Sequence, residues 1–346
     1  MTTSPKTEKR WRVVVRRLVT IPRSMLLLVA LIALSPLLIP LALIVDGVRW
    51  LATRKPAMTI RLLAFGLVFF TVELIGLAWL FVSWLGTGLG HDRARLQEET
   101  WPIQAWWART LLAAAIRLFR LRLLVAGQSQ ATPGPILALF RHVSIVDNLL
   151  PAVLLSDQLG IRLRWVVKRE LLTLPSLDVA GNRLPNYFVD RQSNDPRSEV
   201  RHIKALAENL TDRDGVLIYP EGTRFTTQKR DRAVQRLRDS SDLLAEAAAA
   251  LRYVMPPRPG GTLALLDSRS DVLVGAHHGL EGFASLHDLW SGALLGKTVN
   301  VAFTRIPAAA IPSGRRERAA WLYDVWAEMD RWIAKRLDDD ANGAVL

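Results

Sequence analysis

Residues 136–147 read ILALFRHVSIVD. The first five are an unbroken apolar run, too short for a helix of its own. Between polar and Pro/Gly loops, such a run reads as a strand buried on both faces. Similar runs recur at Arg164–Val167, Tyr187–Val189, Val216–Tyr219, Asp271–Gly275 and Val299–Phe303. Helical patterns lie near 145–158, 197–211, 227–252 and 315–336. Strands alternating with helices predict an α/β domain, placed at 126–338 with a disordered tail at 339–346. No internal repeat is present.

The loops that follow strands in such sheets collect ligands. His142 directly follows the first run, and Asp147 stands five residues on, in the first turns of a predicted helix that Ser144 is placed to cap. Residues five apart do not share a helical face, so the two meet only if His142 sits in the loop and folds back. There the carboxylate accepts from one imidazole nitrogen and fixes the tautomer, leaving the other nitrogen to take a proton from a hydroxyl. Taken alone, the spacing is weak evidence and favours an ordinary surface pair. A second cluster, YPEGTR at 219–224, closes another apolar run. Glu221, Gly222, Thr223 and Arg224 offer a carboxylate, a backbone open to close approach, a hydroxyl and a guanidinium suited to phosphate. The bland alternative is a strand-end turn with a salt bridge.

At 346 residues the chain has room for one substantial domain and an accessory segment. Half the residues are hydrophobic, and the excess sits at the front. Residues 25–45 carry no charge and 62–85 carry only Glu73, so each run is long enough to cross a hydrocarbon core. Two hydrophobic membrane helices within 25–86 are expected. Eleven Lys and Arg against two Asp and Glu in residues 1–61 place +9 of the +13 net charge there. Basic charge beside apolar runs reads as attraction to anionic lipid, and a nucleic-acid partner is not expected. The leader 1–24, with Lys6, Lys9, Arg10, Arg12, Arg16, Arg17 and Arg23, places the N-terminus and the catalytic domain on the cytoplasmic side of the inner membrane. Arg49, Arg54, Lys55 and Arg61 in the loop between the runs oppose a full crossing. Pro36 and Pro40 instead permit a bent, shallow hairpin, and both topologies stay open.

Glu73 is a functional candidate by its place in an apolar run, or a carboxyl paired within the helices. Residues 101–125 read as an interfacial helix or as a helix at the domain edge. The absence of cysteine excludes disulfides and thiolate chemistry.

In order and spacing, HVSIVD at 142–147, FVDR at 188–191 and EGTR at 221–224 resemble the glycerolipid acyltransferase family. VVKRELLTLPSL at 166–177, VMPPRPGG at 254–261 and LLGKTVNVAFTRIP at 294–307 are similar to its lysocardiolipin and acylglycerophosphate acyltransferase branch. The resemblance implies a mixed sheet flanked by helices, with His142 as general base and Asp147 as its orienting partner. It implies an acceptor phosphate held by Arg224, with Arg191 and Lys168, in a pocket shaped by Glu221, Gly222 and Thr223. The expected reaction is acyl transfer from acyl-CoA, or from acyl carrier protein, to the sn-2 hydroxyl of lysophosphatidic acid, giving phosphatidic acid. Another lysophospholipid acceptor is the alternative. No metal or cofactor is expected beyond the co-substrate. Arg141 stands where the family commonly has Asn, and is expected to favour a neutral imidazole. Adjacent His277 and His278 would face opposite sides of a strand, which disfavours a shared metal. A hydrolase using Ser144 lacks a Gly-x-Ser-x-Gly elbow, and a non-catalytic scaffold has no reason to hold His142, Asp147, Glu221 and Arg224 together.

Overall fold

The computed structural model describes residues 10–144, 146–190, 195–283 and 286–343. Four long helices come first: α1 (Arg10–Ala33), α2 (Ser35–Thr53), α3 (Thr59–Gly86) and α4 (Arg93–Phe119). Next come β1 (Arg122–Ala126), β2 (Ile136–Phe140) and a helical turn α5 (Leu149–Pro151), which continues as one π-helical stretch to Asp157. β3 (Arg162–Lys168), α6 (Pro175–Gly181), β4 (Tyr187–Val189), α7 (Pro196–Ala205) and β5 (Asp214–Ile218) follow. The chain ends through α8 (Thr227–Asp239), α9 (Ala245–Ala250), α10 (Pro259–Leu266), β6 (Asp271–His278), α11 (Leu286–Ser291), β7 (Thr298–Ile306) and α12 (Arg315–Gly343).

The strands form one sheet in the order β1-β7-β6-β2-β5-β3-β4. β6, β2, β5, β3 and β4 run parallel, whereas β7 is antiparallel to β6 and carries β1 beside it. The sheet is therefore mixed. Central β2 explains its own sequence. Ile136, Ala138 and Phe140 enter a core shared with α4, while Leu137 and Leu139 enter a second core shared with α7 to α10 and α12. Burial on both faces removes the alternation an exposed strand would show.

Several expected boundaries move. The 101–125 helix ends at Phe119, where Arg120 turns left-handed at φ 53, and residues 122–126 are the edge strand β1. α4 buries Ala108, Leu111, Ala115 and Phe119, which makes it a domain helix. The 145–158 helix starts only at Leu149, because the preceding residues form the loop that holds the site. The 227–252 helix breaks between α8 and α9, with Ser241 at φ 50. α6 and α10 were not expected; each has proline in its first turn, where a missing N–H costs nothing. The tail expected from 339 is helical to Gly343, and residues 344–346 lie outside the described residues.

The apolar run 25–45 is divided rather than continuous. α1 ends at Ala33, and Pro36 occupies the first turn of α2, where its missing N–H costs nothing. Among the described residues, the two helices long and apolar enough to cross a membrane are α2 and α3. The Asp46 carboxylate accepts from the N–H groups of Met58 (3.2 Å), Thr59 (2.9 Å) and Ile60 (2.9 Å), closing the turn between them. Glu73, wholly buried, accepts from Trp107 Nε1 (3.0 Å) and Ser176 N (2.7 Å). It is thus a carboxyl paired to α4 and α6. Several cations read as lipid-facing are instead engaged by protein. Arg16 and Arg17 pair with buried Asp178 at 2.9 and 3.2 Å. Arg23 donates to Thr173 O at 3.0 Å, and Arg49 to Trp290 O at 2.7 Å. Lys6 and Lys9 of the leader lie outside the described residues.

Candidate active site

Parallel pairing of β2, β5, β3 and β4 brings their C-terminal ends to one edge of the sheet. His142 follows β2, Glu221 to Arg224 follow β5, and Lys168 closes β3. Arg191 follows β4 and lies outside the described residues.

His142 does fold back over the loop. Its Nδ1 is 3.0 Å from Asp147 Oδ2, an oxygen that also accepts from the N–H groups of Val143 (2.6 Å) and Ser144 (2.8 Å). The Ser144 hydroxyl donates to Oδ1 and accepts from Val146 N at 3.1 Å. Ser144 therefore braces the carboxylate instead of capping a helix, and its hydroxyl is committed away from nucleophilic attack. Burial alone would push the Asp147 carboxyl up. The nearby His277 and His142 imidazoles and the Ser144 hydroxyl outweigh that, holding it below the ordinary carboxylate range. An ionised Asp147 assigns the proton of His142 to Nδ1, leaving Nε2 as the lone-pair nitrogen. Among the described residues, Nε2 has no hydrogen-bond partner.

Glu221 binds the loops together. Its Oε1 accepts from His142 N at 2.8 Å and its Oε2 from Met255 N at 3.0 Å. Burial pushes its carboxyl up to about 8 despite Arg141 and these two N–H donors. The segment with Pro256 and Pro257 thus belongs to the site: it supplies Met255 N, and Arg258 N donates to Pro220 O at 2.8 Å. Gly222 turns at φ 66, and a Cβ there would lie 3.2 Å from the Arg258 side chain. Phe225 N donates to His142 O at 2.8 Å, tying the EGTR loop to the His142 loop. Thr223 and Arg224 are half-buried at its mouth. Gly181 packs beneath Phe188, whose ring would meet a Cβ at 2.7 Å.

Three further residues join the site. The Tyr219 ring packs against the His142 imidazole with centroids 4.7 Å apart. Burial holds its hydroxyl well above the ordinary phenol range. His277 Nε2 lies 3.1 Å from Arg141 O and 3.8 Å from Asp147 Oδ1, and burial lowers this imidazole despite the nearby Asp147 carboxylate. The register pairs Phe140 with Gly275, which sets His277 level with His142. His278 turns the other way, toward Glu281 (3.2 Å) and Asp340 (3.1 Å). Arg141 is 1 % exposed and donates to Glu281 Oε1 (2.5 Å), His277 O (2.7 Å) and Tyr253 O (2.8 Å). It is a strut beneath the site, with its charge spent on Glu281. No single residue pattern announces Tyr219 or His277; strand register places them.

Residues 122–264 match the acyltransferase family model. No curated protein matches the chain. The structure is similar to that of the 1-acyl-sn-glycerophosphate (LPA) acyltransferase PlsC from Thermotoga maritima, with a TM-score of 0.51 and 13 % identity over 79 % of this chain and 98 % of that one. At that identity the likeness is one of fold. The matched segment contains β2 to β5 and the loops bearing His142, Asp147 and Glu221 to Arg224, so the stretch that carries the acyltransferase signature is the stretch that builds the site.

Proposed function

We propose that this chain is a membrane-associated glycerolipid O-acyltransferase that moves an acyl group from a thioester donor to the free hydroxyl of a lysophospholipid, lysophosphatidic acid in the first instance. The observation that carries this reading is the His142 Nδ1 to Asp147 Oδ2 contact of 3.0 Å, with Nε2 left open. Nε2 accepts the acceptor's hydroxyl proton as its oxygen attacks the thioester carbonyl. The C–S bond then breaks, and the departing thiolate takes that proton from the imidazolium. An ester and a free thiol result, with neither cofactor nor acyl-enzyme needed. Arg224, with Lys168 and Arg191, would hold the acceptor phosphate.

We also infer that α1 to α3 lie in one leaflet as a shallow platform. Three features support this over two crossings. The end of α2 and the start of α3, which flank their connection, pack on the rest of the chain through Arg49 on Trp290 and Arg61 on Leu118. α3 is held along its length by that domain, at Glu73 by Trp107 and Ser176 and at Leu80 by Arg183. Among the described residues, all exposed large hydrophobic side chains except Leu124, Leu243 and Trp290 precede residue 90.

Detergent-purified protein supplied with acyl-CoA and lysophosphatidic acid should release free thiol, and His142→Ala should lose about 10²- to 10⁴-fold in rate while melting as the wild type does. Thiol release by the alanine variant at the wild-type rate would sink the general-base role. Failure of the wild type with every lysophospholipid offered would sink the transfer itself.

A further inference from the structure

Beside the EGTR loop lies a cleft of about 540 Å³ lined by Thr223, Lys229, Arg232, Arg236, Met255 and Arg258. Lys229, Arg232 and Arg236 stand at i, i+3 and i+7 of α8, so they share one helical face, and Arg258 closes the cleft from the opposite loop. Other α8 cations are matched within the fold: Arg230 reaches Leu251 O and Asp231, and Arg238 reaches Glu246. The four cleft cations differ. Among the described residues none of them pairs with a carboxylate, and Lys229 and Arg236 donate instead to the backbone oxygens of Arg224 and Arg232. Arg232 and Arg236, like charges one turn apart, repel each other unless an anion lies between them.

We propose that this cleft holds the phosphate-bearing nucleotide end of a coenzyme A thioester, an assignment that rests on the acyl-transfer reading above. Charge, size and position support it. A nucleotide with one diphosphate and one phosphomonoester carries about four negative charges near neutral pH, which four cations balance. A single lipid phosphate monoester would leave about half of them unanswered. The volume lies within the usual range for sites that take a small molecule in a concavity. α8 packs through Val234 on the sheet face opposite α3 and α4, which keeps a polar nucleotide in water while lipid approaches from the other face. The route to the chemistry is short: Met255 lines the cleft, and its N–H shares Glu221 with the N–H of His142. The flexible arm of the donor would cross that bridge to deliver the thioester to Nε2.

The test compares the full-length wild type in detergent with the double variant Arg232→Glu, Arg236→Glu and with the charge-keeping double variant Arg232→Lys, Arg236→Lys. Calorimetry with coenzyme A and with adenosine 3′,5′-bisphosphate should show binding to the wild type, weakened about tenfold or more by the glutamates and largely kept by the lysines. In turnover, the glutamates should raise KM for acyl-CoA while kcat, and KM for acyl-pantetheine and for lysophosphatidic acid, stay put. Arg258→Gln, on a separate segment, repeats the test if α8 does not tolerate the reversals. Unchanged coenzyme A binding overturns the proposal. So does a rise confined to the acceptor's KM, which would make this a headgroup site, or one confined to acyl carrier protein donors, which would make it a protein-docking surface. Binding of coenzyme A that the glutamates abolish, in a protein that transfers no acyl group, would keep the site and discard the acyl-transfer reading.

Discussion

The helices on the two faces of the sheet obey opposite rules of burial. α8 is conventional: Val234 points into the core and its cations point out. α2 is inverted, for it buries only Ala42 and Asp46 and leaves Leu37, Leu43, Ile44 and Leu51 exposed. Both helices satisfy the same physics if their solvents differ. A helix turns outward whatever its surroundings accept, and an outward row of leucines suits an apolar neighbour such as the lipid platform proposed above. Asp46 fits this too, since its carboxylate is covered by three backbone N–H groups and needs no water. The sheet thus separates a layer whose outward face is apolar from a layer whose outward face is charged, with His142 at its edge.

The largest expected effect comes from attacking the apolar layer at its exposed row. Leu37→Asp with Ile44→Asp places two carboxylates on the exposed apolar face of α2, at a cost of up to about 5 kcal/mol for the pair if that face lies in hydrocarbon. Co-sedimentation with anionic vesicles should drop steeply, while thiol release from detergent-dispersed substrates should persist. Undiminished sedimentation would break the comparison, because α2 would then need no lipid. Next in size is Glu73→Ala. It strands Trp107 Nε1 and Ser176 N in a buried setting, at about 1 to 3 kcal/mol for each donor left unmatched. α3 should loosen from α4 and α6, seen as a lower melting temperature and faster amide exchange in α3. Exchange rising in α8 instead would mean that the layers are not separable.

These differences bear on what the residues disclosed before the structure did. The buried strand β2 and the EGTR turn were legible because burial on both faces and a strand-end polar cluster are local signals. The meeting of His142 with Asp147 was legible as a condition, that the histidine lie in the loop, and the structure meets it through N–H bonds from Val143 and Ser144. β1 was not legible: RLLVA continues an apolar helical stripe, and only the left-handed turn at Arg120 and pairing with β7 make it a strand. Arg16 and Arg17 looked like lipid contacts because nothing in residues 10–24 announces Asp178, more than 150 positions away. Long-range pairing was the missing information in each case, and it decides His277 as well. His142 and His277 become level only once β2 and β6 are in register.

The smallest effect tests whether the charged layer answers to pH near the sheet edge that carries His142. His278 ends β6 and lies between Glu281 and Asp340, the latter near the end of α12. Burial pushes its imidazole down, but the two carboxylates outweigh this and hold it above the ordinary histidine value. A group raised on folding contributes stability that is full below its unfolded pKa of about 6.5 and is lost as pH rises through the higher folded value. Asp340→Asn should therefore lower the melting temperature slightly near pH 6, by less than about 1 kcal/mol because Asp340 is half exposed, and make almost no difference near pH 9. The change should be confined to amide exchange in the last turns of α12, leaving α3 untouched. A deficit that grows with pH would reverse the sign of the link and show that His278 is held neutral, with Asp340 serving only as a hydrogen-bond acceptor.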